Sequence, residues 1–196
     1  MPVYENERGT YIFNSKDLCM IGHVPEMIDA GIDSFKIEGR MKTALYVATV
    51  ARTYRKAIDD YMKDPKLYEA NMEWYKEEIG KCTYREFTTG FYFGKPGSDA
   101  QIYNSNTYVK NYTYLGTVEE ADGKGRCRIE QKNKFSVGET IEIMKPDGRN
   151  LEVVVKSICD EDGNGQESAP HPKQILWVDL GADVDKYDIL RKKEDN

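Results

Sequence analysis

The spacing of apolar residues changes once along this chain, and that change limits the fold more than any other feature. Up to residue 81 it is helical. From Thr43 onward Ala44, Val47, Ala51, Tyr54, Ile58 and Tyr61 recur every three or four positions, which predicts an amphipathic helix that buries this set and stops at Asp64-Pro65. From Tyr112 the alternation becomes strand-like. Strands are expected at Tyr112–Glu120, Arg126–Gln131, Thr140–Met144, Leu151–Ile158, Ile175–Leu180 and Asp188–Arg191. Turn signals divide them, among them Asp122-Gly123, Pro146-Asp147-Gly148 and the polar stretch EDGNGQESAPHP. A chain that keeps its helices and strands apart in this way is of mixed, α+β class. Six short strands fit a small closed barrel, which leaves no edge strand exposed.

The helical part has an αβα order. A helix is expected from Asp17 to Ala30, kinked or split by Pro25 and stopped by Gly31. A short strand at Asp33–Glu38 follows, then the long helix, then a helix from Leu67 to Ile79 carrying Trp74 and Tyr75. One parallel strand needs neighbours on both sides, so this piece reads as the last unit of a larger barrel. Three regions result: 1–81, a linker at 82–111, and the β-barrel at 112–196. The linker, CTYREFTTGFYFGKPGSDAQIYNSNTYVKN, is rich in glycine and aromatics, and its rings need a surface to pack on.

Composition excludes several classes. Hydrophobic residues make up 39% and charged residues 32%, with a net charge of −6, which argues against a generally basic nucleic-acid coat. No apolar run is long enough to span a membrane. MPVYENERG is not a secretory signal, so a cytoplasmic location is the expectation. Cys19, Cys82, Cys127 and Cys159 form no CxxC pair, and the two histidines, His23 and His171, are far apart. HExxH and GxSxG are both missing, so the sequence offers no complete hydrolytic constellation.

Two charged stretches remain as candidates. Lys36-Ile-Glu38-Gly-Arg40-Met-Lys42 lies between the expected strand and the long helix. In parallel α/β barrels, active-site residues gather at such strand-to-helix junctions. Arg40 offers a planar fork for a carboxylate or phosphate, Lys42 lies near a helix N-terminus, and Glu38 can orient Arg40. The competing reading is a structural ion pair. Asn14, Lys16 and Asp17 are secondary candidates at the preceding junction. The second stretch, KGRCRIEQKNK at 124–134, holds five cations and one acid. It is either a solvated hairpin edge or a row that meets RNA phosphates through Arg126, Arg128, Lys132 and Lys134.

The segments YIFNSKDLC, GIDSFKIEGRMK, YVATVARTYRKAID, REFTTGFYFGKP and NKFSVGETIEIM, in this order, resemble the C-terminal half of the peptidase U-32 family, the collagenase-like proteins. The resemblance covers essentially the whole chain. It implies a TIM-type barrel, entered here partway and followed by a C-terminal β-barrel, with Met1 internal to a longer reading frame. It implies a role in RNA hydroxylation, such as forming 5-hydroxyuridine at the tRNA wobble position, with tRNA or another RNA as partner. The family's name keeps open the alternative of a collagenase-like protease of unknown catalytic type. The resemblance further implies an iron–sulfur cluster on four cysteines in the longer protein. Cys19 would be the ligand this chain supplies, or else a small buried side chain. It also makes Glu38, Arg40 and Lys42 a substrate site or a site for a prephenate-like anion. Cys82, Cys127 and Cys159 match no ligand position and are expected to be core or edge residues. The chain by itself is expected to carry no cluster and to be inactive.

Overall fold

The computed structural model describes residues 3–7, 9–11, 14–103 and 108–194. The chain divides into two compact units. One comprises residues 1–40 and 53–110, the other residues 41–52 and 111–196.

The first unit opens with a hairpin of β1 (Tyr4–Asn6) and β2 (Gly9–Tyr11). β3 (Asp17–Leu18) follows, then a single 3-10 turn at Ile21–His23 and a short helix, α1 (Val24–Asp29). The helix expected over Asp17–Ala30 is therefore confined to its second half. Pro25 lies in its first turn, where a missing N–H costs nothing, instead of kinking a longer helix. The strand expected at Asp33–Glu38 does not form. That segment takes no regular secondary structure, and among the described residues no strand pairs with it to complete a ladder.

The long helix, α2, spans Ala44–Lys63, a length of about 30 Å. Its N-terminal part belongs to the second unit and its remainder to the first. The buried stripe is Leu45, Thr49, Val50, Arg52, Thr53, Ala57 and Asp60, rotated from the expected one. Val47 is 44% exposed, and Ala44 and Ala51 are exposed too. Hydrogen bonds explain the rotation. In the second unit Arg52 donates through Nη1 to the carbonyl of Lys145 (2.7 Å) and to Asn150 Oδ1 (3.0 Å). In the first unit Asp60 Oδ2 accepts from Lys56 Nζ (2.8 Å), Asn71 Nδ2 (2.9 Å) and the Tyr75 hydroxyl (2.6 Å). Polar side chains take the inner positions because their partners are there.

Asp64 caps the next helix with its carboxylate, accepting from Lys66 N–H at 3.0 Å. The expected helix at Leu67–Ile79 is two, α3 (Pro65–Ala70) and α4 (Met72–Ile79), broken at Asn71. Tyr68 and Tyr75 stack with centroids 5.6 Å apart, and the Tyr68 hydroxyl donates to the carbonyl of Ile21 at 2.7 Å. The segment expected to be a linker folds back on its own unit. β4 (Phe87–Thr88) pairs in parallel with β3, Tyr84 bridges Val109, and Ile102 N–H donates to Asn14 O at 2.7 Å. Residues 104–107 of that segment lie outside the described residues.

The second unit is an eight-stranded antiparallel sheet. Its strands are β5 (Tyr112–Ala121), β6 (Arg126–Glu130), β7 (Thr140–Met144), β8 (Asn150–Val154), β9 (Ser157–Cys159), β10 (Gly165–Gln166), β11 (Ile175–Asp179) and β12 (Ile189–Lys193). The order is β10-β9-β11-β6-β5-β12-β7-β8. Two strands more than expected arise because Leu151–Ile158 is broken into β8 and β9, and β10 forms in the polar loop. The sheet curls into a partial barrel around Leu115, Ile129, Phe135, Ile143, Leu176 and Leu190, all fully buried. β8 and β10 do not pair with each other. The irregular stretch 135–139 lies between their ends and bonds to both: Val155 N–H donates to Glu139 O (3.0 Å), and Val137 N–H donates to Glu167 O (2.9 Å). At the β5–β6 turn, Gly125 has φ 98°, and a Cβ there would lie 2.8 Å from the Gly181 Cα, so only glycine fits.

Candidate functional site

Cys19 follows β3 directly. Its backbone N–H donates to Thr88 O at 2.9 Å, and its Sγ lies 3.9 Å from the Tyr54 hydroxyl. The same hydroxyl accepts from Met20 N–H at 2.8 Å, so α2 fixes the position of the thiol. Burial pushes the Cys19 thiol up from its ordinary value, against the opposing pull of hydrogen bonds from the Ile21 backbone and Tyr54. Among the described residues no three His, Cys, Asp or Glu side chains come together in a way that could hold a metal ion. Cys19 Sγ is of the donor type an iron–sulfur cluster takes, and would supply one of its four thiolates.

The other cysteines sit where packing places them. Cys82 is buried and donates to Ile79 O at 3.3 Å. Cys127 is buried in the sheet core, and desolvation pushes its thiol up to about 12. Cys159 is half-buried on β9, 3.5 Å from Arg126 Nη2.

Of the junction residues, Glu38 and Arg40 are exposed in the first unit. Glu38 Oε1 accepts from the backbone N–H of Arg40 at 3.1 Å, not from its guanidinium, so the carboxylate shapes the turn and leaves the fork unoriented. Lys42, in the second unit, is half-buried with its Nζ 4.9 Å from the Tyr46 ring centroid. The secondary candidates are clamps. Asn14 Nδ2 donates to Ile102 O (2.7 Å), Lys16 pairs with Glu86 (3.0 Å), and Asp17 accepts from Arg85 N–H (2.9 Å) and Nε (3.2 Å). Together they tie the 82–103 segment to the start of the unit.

The basic segment keeps the expected alternation. Arg126 and Arg128 point outward from β6 while Cys127 and Ile129 are buried. Their charges are less free than the sequence suggests. Arg128 pairs with Glu119 and with Glu161 (2.9 Å), Lys132 pairs with Glu130, and Arg126 lies 5.6 Å from the Trp177 ring centroid. Lys134 is exposed. Two of these acids, Glu119 and Glu161, come from outside residues 124–134, so the local charge count could not reveal the pairing of Arg128.

Sequence reasoning missed the buried ion cluster of the second unit. Lys145, 2% exposed, reaches Asp185 (2.7 Å), Asp188 (2.9 Å) and Asp183 (3.5 Å). Burial alone would lower its pKa, but the carboxylates of Asp185 and Asp188 outweigh that and hold it at about 12. Arg191, fully buried, donates through Nε to Glu142 Oε1 at 2.6 Å. The only advance signal was the acidic run at 183–188 facing a lysine some forty positions earlier.

Catalytic candidates for hydrolysis are not assembled. His23 Nδ1 contacts Glu26 Oε1 at 2.9 Å on an exposed surface. Among the described residues neither His23 nor His171 meets a serine, threonine or cysteine side chain.

A helical unit with a short parallel strand pair, followed by a curled antiparallel sheet, describes a protein of mixed α and β structure. Two family models cover it in that order: peptidase family U32 over residues 3–102 and the peptidase family U32 C-terminal domain over residues 110–191. The chain belongs to peptidase family U32. It is 37% identical over 191 residues to tRNA hydroxylation protein P1 of Bacillus subtilis, covering 97% of this chain and 45% of that protein. It is 33% identical to tRNA hydroxylation protein P of Escherichia coli, over 98% of this chain and 42% of that one. A protein named collagenase from Porphyromonas gingivalis is 40% identical over 129 residues, 61% of this chain and 31% of that protein. The chain thus spans less than half the length of these curated relatives. A crystal structure of the C-terminal domain of a protein described as a U32 peptidase of Geobacillus thermoleovorans shares 32% identity at a TM-score of 0.38, over 41% of this chain and 99% of that domain. No helix of the described residues is long and apolar enough to cross a membrane.

Proposed function

We propose that this chain is part of a cytoplasmic tRNA hydroxylation factor, acting in formation of 5-hydroxyuridine at the wobble position. The observation that carries this reading is the similarity, over nearly the whole chain, to proteins named for tRNA hydroxylation in two bacteria. In this reading the first unit is the end of a TIM-type barrel, and Cys19 is the one thiolate that the chain gives to an iron–sulfur cluster of the longer protein. When bound, such a cluster would supply electron transfer. Tyr54 and the Thr88 carbonyl orient Cys19 toward that role. Glu38, Arg40 and Lys42 bind an anionic co-substrate of the prephenate type. The sheet is the RNA-contacting module, with Arg126, Arg128, Lys132 and Lys134 meeting phosphates.

Deleting the gene that encodes this chain and measuring tRNA nucleosides by mass spectrometry tests the proposal. The expected result is loss of the hydroxylated wobble uridine, restored by the wild-type gene and not by its Cys19→Ala form. Unchanged modification in the deletion strain would overturn the reading. Full restoration by Cys19→Ala would reduce Cys19 to a packing residue.

The protease reading rests on the relative named collagenase. It predicts gelatin cleavage abolished by a single substitution. The relatives named for tRNA hydroxylation align over 97% and 98% of this chain and the one named collagenase over 61%, which favours the hydroxylation reading.

A further inference from the structure

Tyr187, in the turn before β12, has φ 76°, a left-handed conformation unusual for a bulky residue. The backbone around it is fixed. Tyr187 N–H donates to Val118 O (2.8 Å), Val118 N–H donates to Asp188 O (2.8 Å), and Asp188 N–H donates to Asp185 O (3.1 Å). None of these bonds needs a side chain at position 187, and glycine would make the same turn without strain. The ring nevertheless stands 68% exposed, so it adds little to the core. A strained residue held in place by its surroundings, with its side chain offered to solvent, points to a contact made there.

The ring borders a cleft that Tyr114, Glu119, Glu130, Lys132 and Lys186 also line. Both carboxylates are already taken, Glu119 by Arg128 and Glu130 by Lys132. Lys186 has no carboxylate partner among the described residues, and its Nζ lies 5.1 Å from the Tyr187 ring centroid. The cleft therefore presents an exposed aromatic ring with Lys186 Nζ over one face and the other face open to stacking, and that cation makes no ion pair among the described residues. A planar base with an adjacent phosphate matches both. A base inside a duplex is stacked and hidden, so the match is to an unpaired nucleotide.

We propose that this cleft binds an unpaired nucleotide of RNA, with the base stacked on Tyr187 and a phosphate held by Lys186. This rests on the RNA reading above and adds recognition of a base, at the turn before β12, to the phosphate contacts of the β6 cations. Titration of the full chain with a fluorescently labelled single-stranded RNA, beside a duplex of equal length, tests it. Tyr187→Ala should weaken single-strand binding by about tenfold, the scale of one lost stacking contact. Tyr187→Phe should bind as wild type does. Lys186→Gln should bind less tightly and with a shallower salt dependence. Tyr187→Gly removes the ring while relaxing the backbone, so it should melt no lower than wild type and still bind weakly. Equal binding by wild type and Tyr187→Gly would overturn the cleft while leaving the tRNA-hydroxylation reading intact, since that is judged by nucleoside analysis in cells. Preference for the duplex, or no binding by wild type, would also overturn it.

Discussion

The two units bury their apolar residues to very different degrees. In the first, Leu18, Phe87, Phe91, Tyr92, Phe93 and Tyr108 are all substantially exposed. In the second, the large hydrophobics left outside among the described residues are Met41, Val47, Val154 and Tyr187. The difference follows from geometry. An antiparallel sheet that curls covers its own inner face. A parallel pair of two-residue strands, β3 and β4, has too little width to cover anything, and parallel strands ordinarily need helices on both faces. The first unit buries a smaller apolar set, among it Met20, Ile21, Val24, Met27 and Ile79, and ties it with tyrosine hydroxyls: Tyr54 on Met20, Tyr68 on Ile21 and Tyr75 on Asp60. The second unit instead surrounds an apolar core and adds ion pairs at its margin.

The contrast breaks most sharply at Lys145. Lys145→Ala would leave the fully buried Asp188 without its cation, a loss of about 3–5 kcal/mol. Each unit carries one tryptophan, Trp74 in the first and Trp177 in the second. Denaturant unfolding of single-tryptophan variants should show the Trp177 transition moving far and the Trp74 transition moving less. Equal movement of both would mean that the units unfold as one body.

A smaller effect is expected at Asp60, where Asp60→Asn should cost about 2 kcal/mol by weakening a charge-assisted set of bonds. Acid should act in the same place. Burial tends to raise the Asp60 pKa, but bonds from Lys56, Tyr75 and Asn71 outweigh it and hold the carboxyl below its ordinary value. Its contribution is complete above the unfolded pKa of about 4 and is lost as pH falls through the folded value. Lys145 has the opposite sign. Its folded pKa is raised, so its contribution is complete below about 10.4 and disappears as pH rises through about 12. Acid should therefore move Trp74 first, whereas alkali should move both, since burial also raises the Tyr68 and Tyr75 hydroxyls of the first unit. Coincident midpoints in acid would remove the distinction.

The least effect on stability is expected in the loop at 91–93. Replacing Phe91 and Phe93 with serine should change stability by less than about 0.5 kcal/mol, since both rings are mostly exposed. It should also lower binding of a hydrophobic dye. Dye binding that does not change would place the sticky surface elsewhere in the unit.

How much of this was legible in sequence depended on where each residue's partner lies. The strands were readable because period-two alternation and glycine turns are local signals, and β5, β6, β7, β11 and β12 lie close to where they were expected. The buried stripe of α2 was misplaced because Thr49, Arg52 and Asp60 read as surface residues until their partners, residues far away in sequence, are known. Asp33–Glu38 has the composition of a strand, but a strand is defined by its neighbour. The Cys19 surroundings were legible in position only, since Tyr54 reaches it across thirty-five residues. The alternation of Arg126 and Arg128 along β6 was legible, but their pairing was not, because the acids that hold Arg128 come from residues 119 and 161.

The position of β12 has a consequence for how the protein is made. This strand is inserted between β5 and β7, with Ile189, Leu190 and Arg191 buried. During translation, β5 emerges early and must wait some seventy residues for the strand that lies beside it. At about 5–20 residues per second the nascent sheet spends several seconds split down its middle, with the flanks of β5 and β7 open to any other strand nearby. A ribosome stalled just before Ile189 would thus hold a five-strand part and a two-strand part that β12 has not yet joined, and the cell's chaperones would meet this protein at that gap.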